Sequence, residues 1–197
     1  MDIFEAITSR RSIRIFLKRP VPDEILRKCL EAARWAPSGG NTQPWRFIVV
    51  RNKEKINRFD PYQNQPWVES APVVVVCCVD PSTKWTTYDE SINNLFIGFL
   101  DLGAAIQNFL LTVHAAGLGA VWVASFSPRK VRELCAIPPH LFVVSLICMG
   151  YYDESAALGF RERTISNKDH RTRKPVMEFC FYETFGNTMF DEDPCSG

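Results

Sequence analysis

Apolar residues recur along this chain at two spacings, and the change from one to the other marks out its elements. Ile3, Phe4 and Ile7 fall on one face of a short helix over residues 2–9. A second helix is predicted over 21–36: Pro22-Asp23-Glu24 opens it, and Ile25, Leu26, Cys29, Leu30 and Ala33 repeat at helical steps. WRFIVVR at 45–51 is β-branched and aromatic and reads as a strand, whereas 53–63 is polar and weakly helical. APVVVVCCVD at 71–80 is apolar at nearly every position, the pattern of a strand buried on both faces.

From about residue 88 to 116 the spacing returns to three and four, through Ile92, Leu95, Phe96, Phe99, Leu102, Ile106, Phe109, Leu110 and Val113. This long helix belongs at the centre of the protein or of a dimer, and Gly98 and Gly103 would let another element approach it closely. Gly117-Leu118-Gly119 ends it, since glycine accepts the left-handed cap conformation. AVWVAS continues as an extended segment, Ser127-Pro128 opens a helix to about Leu134, and LFVVSLICM at 141–149 is a third buried strand. Helices interleaved with buried strands predict a helix-covered sheet in one domain of 197 residues. The segment from Tyr151 onward is polar until the aromatic cluster Phe179, Phe181, Tyr182 and Phe185, too thin to fold alone, which suggests packing across a partner subunit.

Composition narrows the functions. Apolar residues make up 46% and charged residues 23%, and 23 Lys and Arg face 22 Asp and Glu. That near balance argues against nucleic acid as a partner. Seven cysteines, an odd number without a CxxC, read as reduced buried thiols of a cytoplasmic protein. Three scattered histidines offer no zinc cluster. The N-terminus lacks a signal-peptide pattern, and no run of about 18 uninterrupted apolar residues predicts a membrane span.

Three stretches could carry chemistry. In RRSIR, an extended backbone puts Arg10, Ser12 and Arg14 on one face and Arg11 and Ile13 on the other. Arginine forks and a hydroxyl suit phosphate oxygens and carbonyls, although a solvated basic edge accounts for the same residues. In APSGGNTQPW, Pro37 restricts the chain, Ser38, Gly39 and Gly40 expose backbone, and Asn41 and Gln43 each offer donor and acceptor. Taken alone, this is either a connecting turn or the edge of a site for a flat polar ring. GLGAVWVAS has its glycines between helix and strand, the reverse of the dinucleotide fingerprint. His114 reads as a core histidine, and Asp89, Glu90 and Asp101 as acids that helix-surface charge explains equally well. No nucleophile with a base partner stands out, which favours chemistry done by a bound cofactor.

RRSIR, APSGGNTQPW, an AP before a valine run, a long helix closing in GLGAVWVAS, and RTRKP near the end occur in an order and spacing that resembles the FMN-dependent nitroreductase family, over about residues 3–175. The resemblance implies an α+β fold (α/β by some schemes), with a central mixed sheet flanked by helices and a long central dimer helix. It also implies a single domain over 1–197 whose extension, from about 151, crosses the partner. Each flavin site would lie at a homodimer interface. Arg10 and Ser12, with Arg11 the less certain member, would hold the FMN phosphate, Arg14 the pyrimidine side, and Arg171 and Arg173 the phosphate from the C-terminal segment. Pro37, Ser38, Gly39, Asn41 and Gln43 would approach the ring and ribityl chain. Trp122, Val123, Ala124 and Ser125 would lie along the ring, with a backbone N–H of Ala124 or Ser125 toward flavin N5.

The implied function is an oxidoreductase that takes hydride from NADH or NADPH and passes it to an electron-poor small molecule by alternating use of one site. Specialised branches (dehalogenation, azoline oxidation, flavin fragmentation) and a non-catalytic FMN-binding protein are the competing readings. Residues 60–70 and 82–90 are candidates for a substrate lid, with Trp67, Trp85 and Tyr88 as stacking groups. The chain departs from the common family pattern at Gly150-Tyr151-Tyr152-Asp153 and in its acidic tail, which bears most on Arg171 and Arg173.

Overall fold

The computed structural model describes residues 1–59, 65–83, 94–157 and 173–187. The chain divides into two compact units, 1–160 and 161–197. Helices of the first unit are α1 (Ile3–Ser9), α2 (Asp23–Arg34), α3 (Lys53–Asn57), α4 (Pro66–Ser70), α5 (Asn94–Ala115) and α6 (Pro128–Cys135); its strands are β1 (Trp45–Val50), β2 (Val73–Val79), β3 (Gly119–Val123) and β4 (Phe142–Gly150). The fold is α+β. In the second unit, a 3-10 turn at Val176–Glu178 precedes the ring pair Phe181–Phe185, whose centroids lie 4.4 Å apart.

The sheet runs in the order β1-β2-β4-β3, and every strand pair is antiparallel. The parallel component expected of a mixed sheet is confined, among the described residues, to the bridge between Ser12 and Ala120. A run such as VVVVCCV carries the burial of its strand but not its direction, because apolar residues at every position suit either kind of pairing. β2 is central and buried throughout. Its odd-numbered residues Val73, Val75 and Cys77 pack with α2 and α5, and Val74, Val76 and Cys78 pack on the opposite side with Ile13, Phe16, Val68 and Val131. Helical layers on both faces make this antiparallel strand apolar at each position. The same burial pushes the Cys29 thiol up to about 12 and Cys78 to about 11, so these cysteines pack as neutral groups.

Local chemistry sets the element ends. Asp2 caps α1 by accepting from the Glu5 N–H at 2.8 Å, and the Ser127 hydroxyl accepts from Lys130 N–H at the start of α6. α5 closes in a Schellman turn: Gly117, at φ 74°, donates to the His114 carbonyl, and Leu118 N–H reaches the Val113 carbonyl. The chain then passes directly into β3.

Helix α5 has two apolar faces. Leu102, Ile106, Phe109 and Val113 are buried in the core. Phe96 and Leu100, 61% and 60% exposed, point out, as do Ile3 and Phe4 of α1 at 76% and 70%. Thus the apolar face predicted for α1 faces solvent in the single chain, where Ala6 is the buried residue. By length and composition α5 could cross a membrane over Leu95–Ala115, although Asp101, Gln107 and Asn108 interrupt its apolar run. Its inner face is instead occupied by the sheet and α2, and Asn108 donates to the Ala32 carbonyl at 3.2 Å. Gly98 does permit a close approach, since a Cβ there would lie 2.9 Å from Val79 Cγ1; Gly103 faces open space.

Candidate functional site

The sequence motifs gather into two groups at different points of α5. The first is the loop between α2 and β1. A 3-10 turn at Gly39–Asn41 bends it, with Gly40, Asn41 and Gln43 in the left-handed region at φ 55°, 57° and 48°. Glycine and asparagine accept that conformation most readily, which accounts for Gly40 and Asn41. Pro37, Asn41 and Gln43 are exposed, and Ser38 and Gly39 are half-buried. Within the loop, the Ser38 hydroxyl accepts from Gln43 N–H at 3.1 Å, and Gln43 Nε2 donates to Asn41 Oδ1 at 3.1 Å.

Residues outside the motif hold this loop. Asp101, only 8% exposed on α5, accepts the Gly39 N–H with both carboxylate oxygens at 3.2 Å. Burial pushes its carboxyl above the ordinary range, while the Gly39 N–H works in the opposite direction. Arg46 donates to the Gln43 carbonyl at 3.2 Å and to Asp80 Oδ2 at 2.9 Å. The Ser82 side chain and N–H, and then Arg46, hold the Asp80 carboxyl below its usual value. Asp80 N–H in turn donates to the Pro44 carbonyl at 2.8 Å. Asp101 is therefore a buried loop anchor and not a helix-surface charge. A lone carboxylate within an otherwise apolar helical stretch was the available signal.

The second group forms where the chain leaves α1. Ile13 N–H donates to the Ala120 carbonyl at 2.9 Å, so residues 10–14 run beside β3. Ile13 is buried and Ser12 exposed, which matches the predicted alternation. Arg11 forms an ion pair with Glu154 at 2.7 Å, and the Arg14 guanidinium lies 5.4 Å from the Trp67 ring centroid. Trp67 packs at the edge of the core under that contact instead of standing out as a free platform. Arg10 and Arg11 border a water-sized niche whose other walls are the apolar Ile13, Leu110, Leu118 and Ala120 together with His114 and Tyr152. Along β3, Trp122 and Ala124 are exposed and Ser125 is half-buried, whereas the Val123 side chain belongs to the core.

Two further residues were not singled out for this site by their motifs. Gln65, 8% exposed, donates from Nε2 to the Ser125 carbonyl at 2.7 Å and ties the end of the β3 segment to the start of α4. His114, read as a core histidine, is half-buried and bonded to Ser9 at 2.7 Å. Arg173 lies in the second unit, and Arg171, Trp85, Tyr88, Asp89 and Glu90 fall outside the described residues.

Asp101 and His114 are thirteen residues apart on α5, about 20 Å along the axis at the α-helical rise. One chain thus carries a loop group and an arginine group at well-separated points of the same helix.

The nitroreductase family model matches residues 7–65 and 61–151. The chain belongs to the nitroreductase family. A similar nitroreductase is the solved family protein from Clostridium difficile, 31% identical with a TM-score of 0.76, covering 93% of this chain and 99% of that one. The NADH dehydrogenase of Thermus thermophilus is 34% identical over 178 residues, covering 77% of this chain and 87% of the relative. The NADPH:FMN oxidoreductase of Vibrio harveyi, solved with NAD+, is 31% identical with a TM-score of 0.67, covering 77% and 69% of the two chains.

Proposed function

We propose that this nitroreductase is an FMN-dependent NAD(P)H oxidoreductase that works as a homodimer. Each site would be assembled from the arginine group of one subunit and the loop group of the other. The observation that carries this reading is that the arginine segment beside β3 and the exposed loop anchored by Asp101 meet α5 at separate points, and that the outward face of this helix is apolar. Phe96 and Leu100, with Ile3 and Phe4, leave apolar surface exposed, and burying it against a second copy would close a two-fold dimer.

The donor set fits the cofactor. Arg10 and Ser12 suit a phosphate, and Arg14 a ring carbonyl. Arg11 has a smaller role in this scheme, since Glu154 already engages it. Pro37, Ser38, Gly39, Asn41 and Gln43 would border the ring and its polyol chain. Trp122, Ala124 and Ser125 would line the ring, with the Ala124 and Ser125 backbone N–H groups assigned to N5; Val123 contributes backbone alone. Donors fixed in advance at the point where charge develops need no reorganisation during reaction. Gln65 serves that end by holding the Ser125 carbonyl.

Bound in this way, FMN supplies hydride chemistry between NADH or NADPH and an electron-poor acceptor such as a nitroaromatic or a quinone. Donor and acceptor use one open face in turn, so the chain has to orient them and keep the ring edge fixed. The buried neutral thiols and the nicotinamide donor are in keeping with a cytoplasmic setting.

Absorption spectra of the purified protein before and after anaerobic NADH, and separately NADPH, test the proposal. A yellow protein bleached by either donor is the expected result. Protein that stays colourless after incubation with FMN and gel filtration would overturn it.

A further inference from the structure

We infer that α4 is a brace for the ring end of the site, with Gln65 and Trp67 as positioning residues that hold the Ser125 backbone and the Arg14 guanidinium where the flavin would meet them. The inference rests on the flavin reading above for the identity of the ligand.

Helix α4 is a single turn on a rigid footing. Pro66 stands in its first turn, where the pyrrolidine ring presets the helical φ. Val68 and Ala71 are fully buried and pack with Val74, Val76 and Cys78 of β2. From this anchored turn the Gln65 amide reaches the Ser125 carbonyl at 2.7 Å, and the Trp67 ring lies against the Arg14 guanidinium, 5.4 Å from centroid to Cζ. Ser125 and Arg14 come from distant parts of the chain, and one short helix touches both.

The Ser125 contact does what the sheet does not. Register between β3 and β4 ends at the pair Val123–Leu146, so Ala124 and Ser125 lie beyond it. Among the described residues, neither of their N–H groups reaches a main-chain acceptor. Ala124 is exposed and Ser125 half-buried, which leaves these donors to a ligand. Their direction must be set by something other than the sheet, and Gln65 supplies it. Its amide is 8% exposed, and burial makes the bond to the Ser125 carbonyl costly to break. Arg14, also half-buried, lies at a distance where the face of an indole attracts a guanidinium. A planar fork held in this way has less freedom to lose when it binds a carbonyl. Trp67 thus acts through Arg14.

Redox potentials of bound FMN test the role of Gln65. Gln65→Met keeps the length of the side chain and removes its donor. A merely structural defect would weaken binding of oxidised and reduced FMN alike and leave the potential in place. The proposal expects affinity for reduced FMN to fall by about tenfold relative to oxidised FMN, which lowers the potential by about 30 mV for a two-electron couple. With NADH or NADPH as donor, kcat should fall while KM for that donor is unchanged. Gln65→Glu has the same shape and no donor when ionised, and it should show the same shift if Gln65→Met fails to fold. For Trp67, FMN fluorescence titration should give a dissociation constant about threefold higher in Trp67→Leu, whereas Trp67→Phe, which keeps a ring face, should stay near wild type. A potential unmoved in the Gln65 variants, or Trp67→Phe as weak as Trp67→Leu, would overturn the proposal and leave the flavin reading intact. Wild-type protein that takes up no FMN would overturn both.

Discussion

The loop group and the arginine group are held in place by different forces. Residues 10–14 lie along β3 through the Ile13–Ala120 main-chain bond and close packing, tight enough that a Cβ on Gly119 would come within 2.6 Å of Ile13 Cβ. Among the described residues, the loop has no strand partner over Pro37–Gln43. It takes its shape from left-handed backbone and from single polar contacts with Asp101, Arg46 and Ser38. One end of the site is thus fixed by packing and the other by a few hydrogen bonds. Volume should disturb the first, and loss of a polar partner the second.

The largest effect is expected at Gly119. Gly119→Val places atoms where Ile13 already sits, and overpacking of this kind costs roughly 1–3 kcal/mol. Urea denaturation should record a loss at the upper end of that range, and bound flavin should fall with it. A variant with wild-type stability would show that the packing argument is wrong.

Asp101 comes next. Asp101→Ala leaves the Gly39 N–H without its acceptor and should cost about 1–2 kcal/mol, whereas Asp101→Asn keeps an acceptor and should remain close to wild type at neutral pH. The same pair gives a pH signature. Burial raises the folded carboxyl pKa above the unfolded value of about 3.9, so the folded state binds the proton more tightly. Stability from this group is fully present below the unfolded pKa and is lost as pH rises through the folded one. The Asn variant should gain on the wild type between acid and neutral pH, and a difference that moves the other way would contradict the assignment.

Gly40→Ala is the smallest of the three. A Cβ at φ 55° carries the left-handed penalty, about 1 kcal/mol for a single residue. It should weaken flavin binding through the loop, read as a raised FMN dissociation constant in a fluorescence titration.

Much of the scaffold could be read from hydrophobic spacing. β2 was recognisable as doubly buried because no residue from Val73 to Val79 is polar, and the end of α5 because Gly117 follows it. Strand direction was hidden for the same reason that burial was visible, since a uniform apolar run has no distinguishable faces. Among the site residues, the alternation of Ser12 and Ile13 followed from two-residue periodicity. The outward turn of Ile3 and Phe4 did not, because an apolar stripe does not say whether it meets its own core or another subunit. Ser9 and His114 are 105 positions apart, and Gln65 and Ser125 are 60 apart. Contacts of that separation exist only once the sheet has brought distant segments together.

The central claim, that each flavin is gripped by two subunits, is tested most directly with hybrid dimers. Arg10→Ala damages only the arginine group and Asp101→Ala only the loop group. When the two variants are unfolded and refolded together, a mixed dimer would have one site with both defects and one with neither. FMN titration of the mixture should then reveal a class of sites with wild-type affinity, absent from either variant alone. If every site in the mixture stays as weak as in the separate variants, the two groups do not meet across a subunit interface.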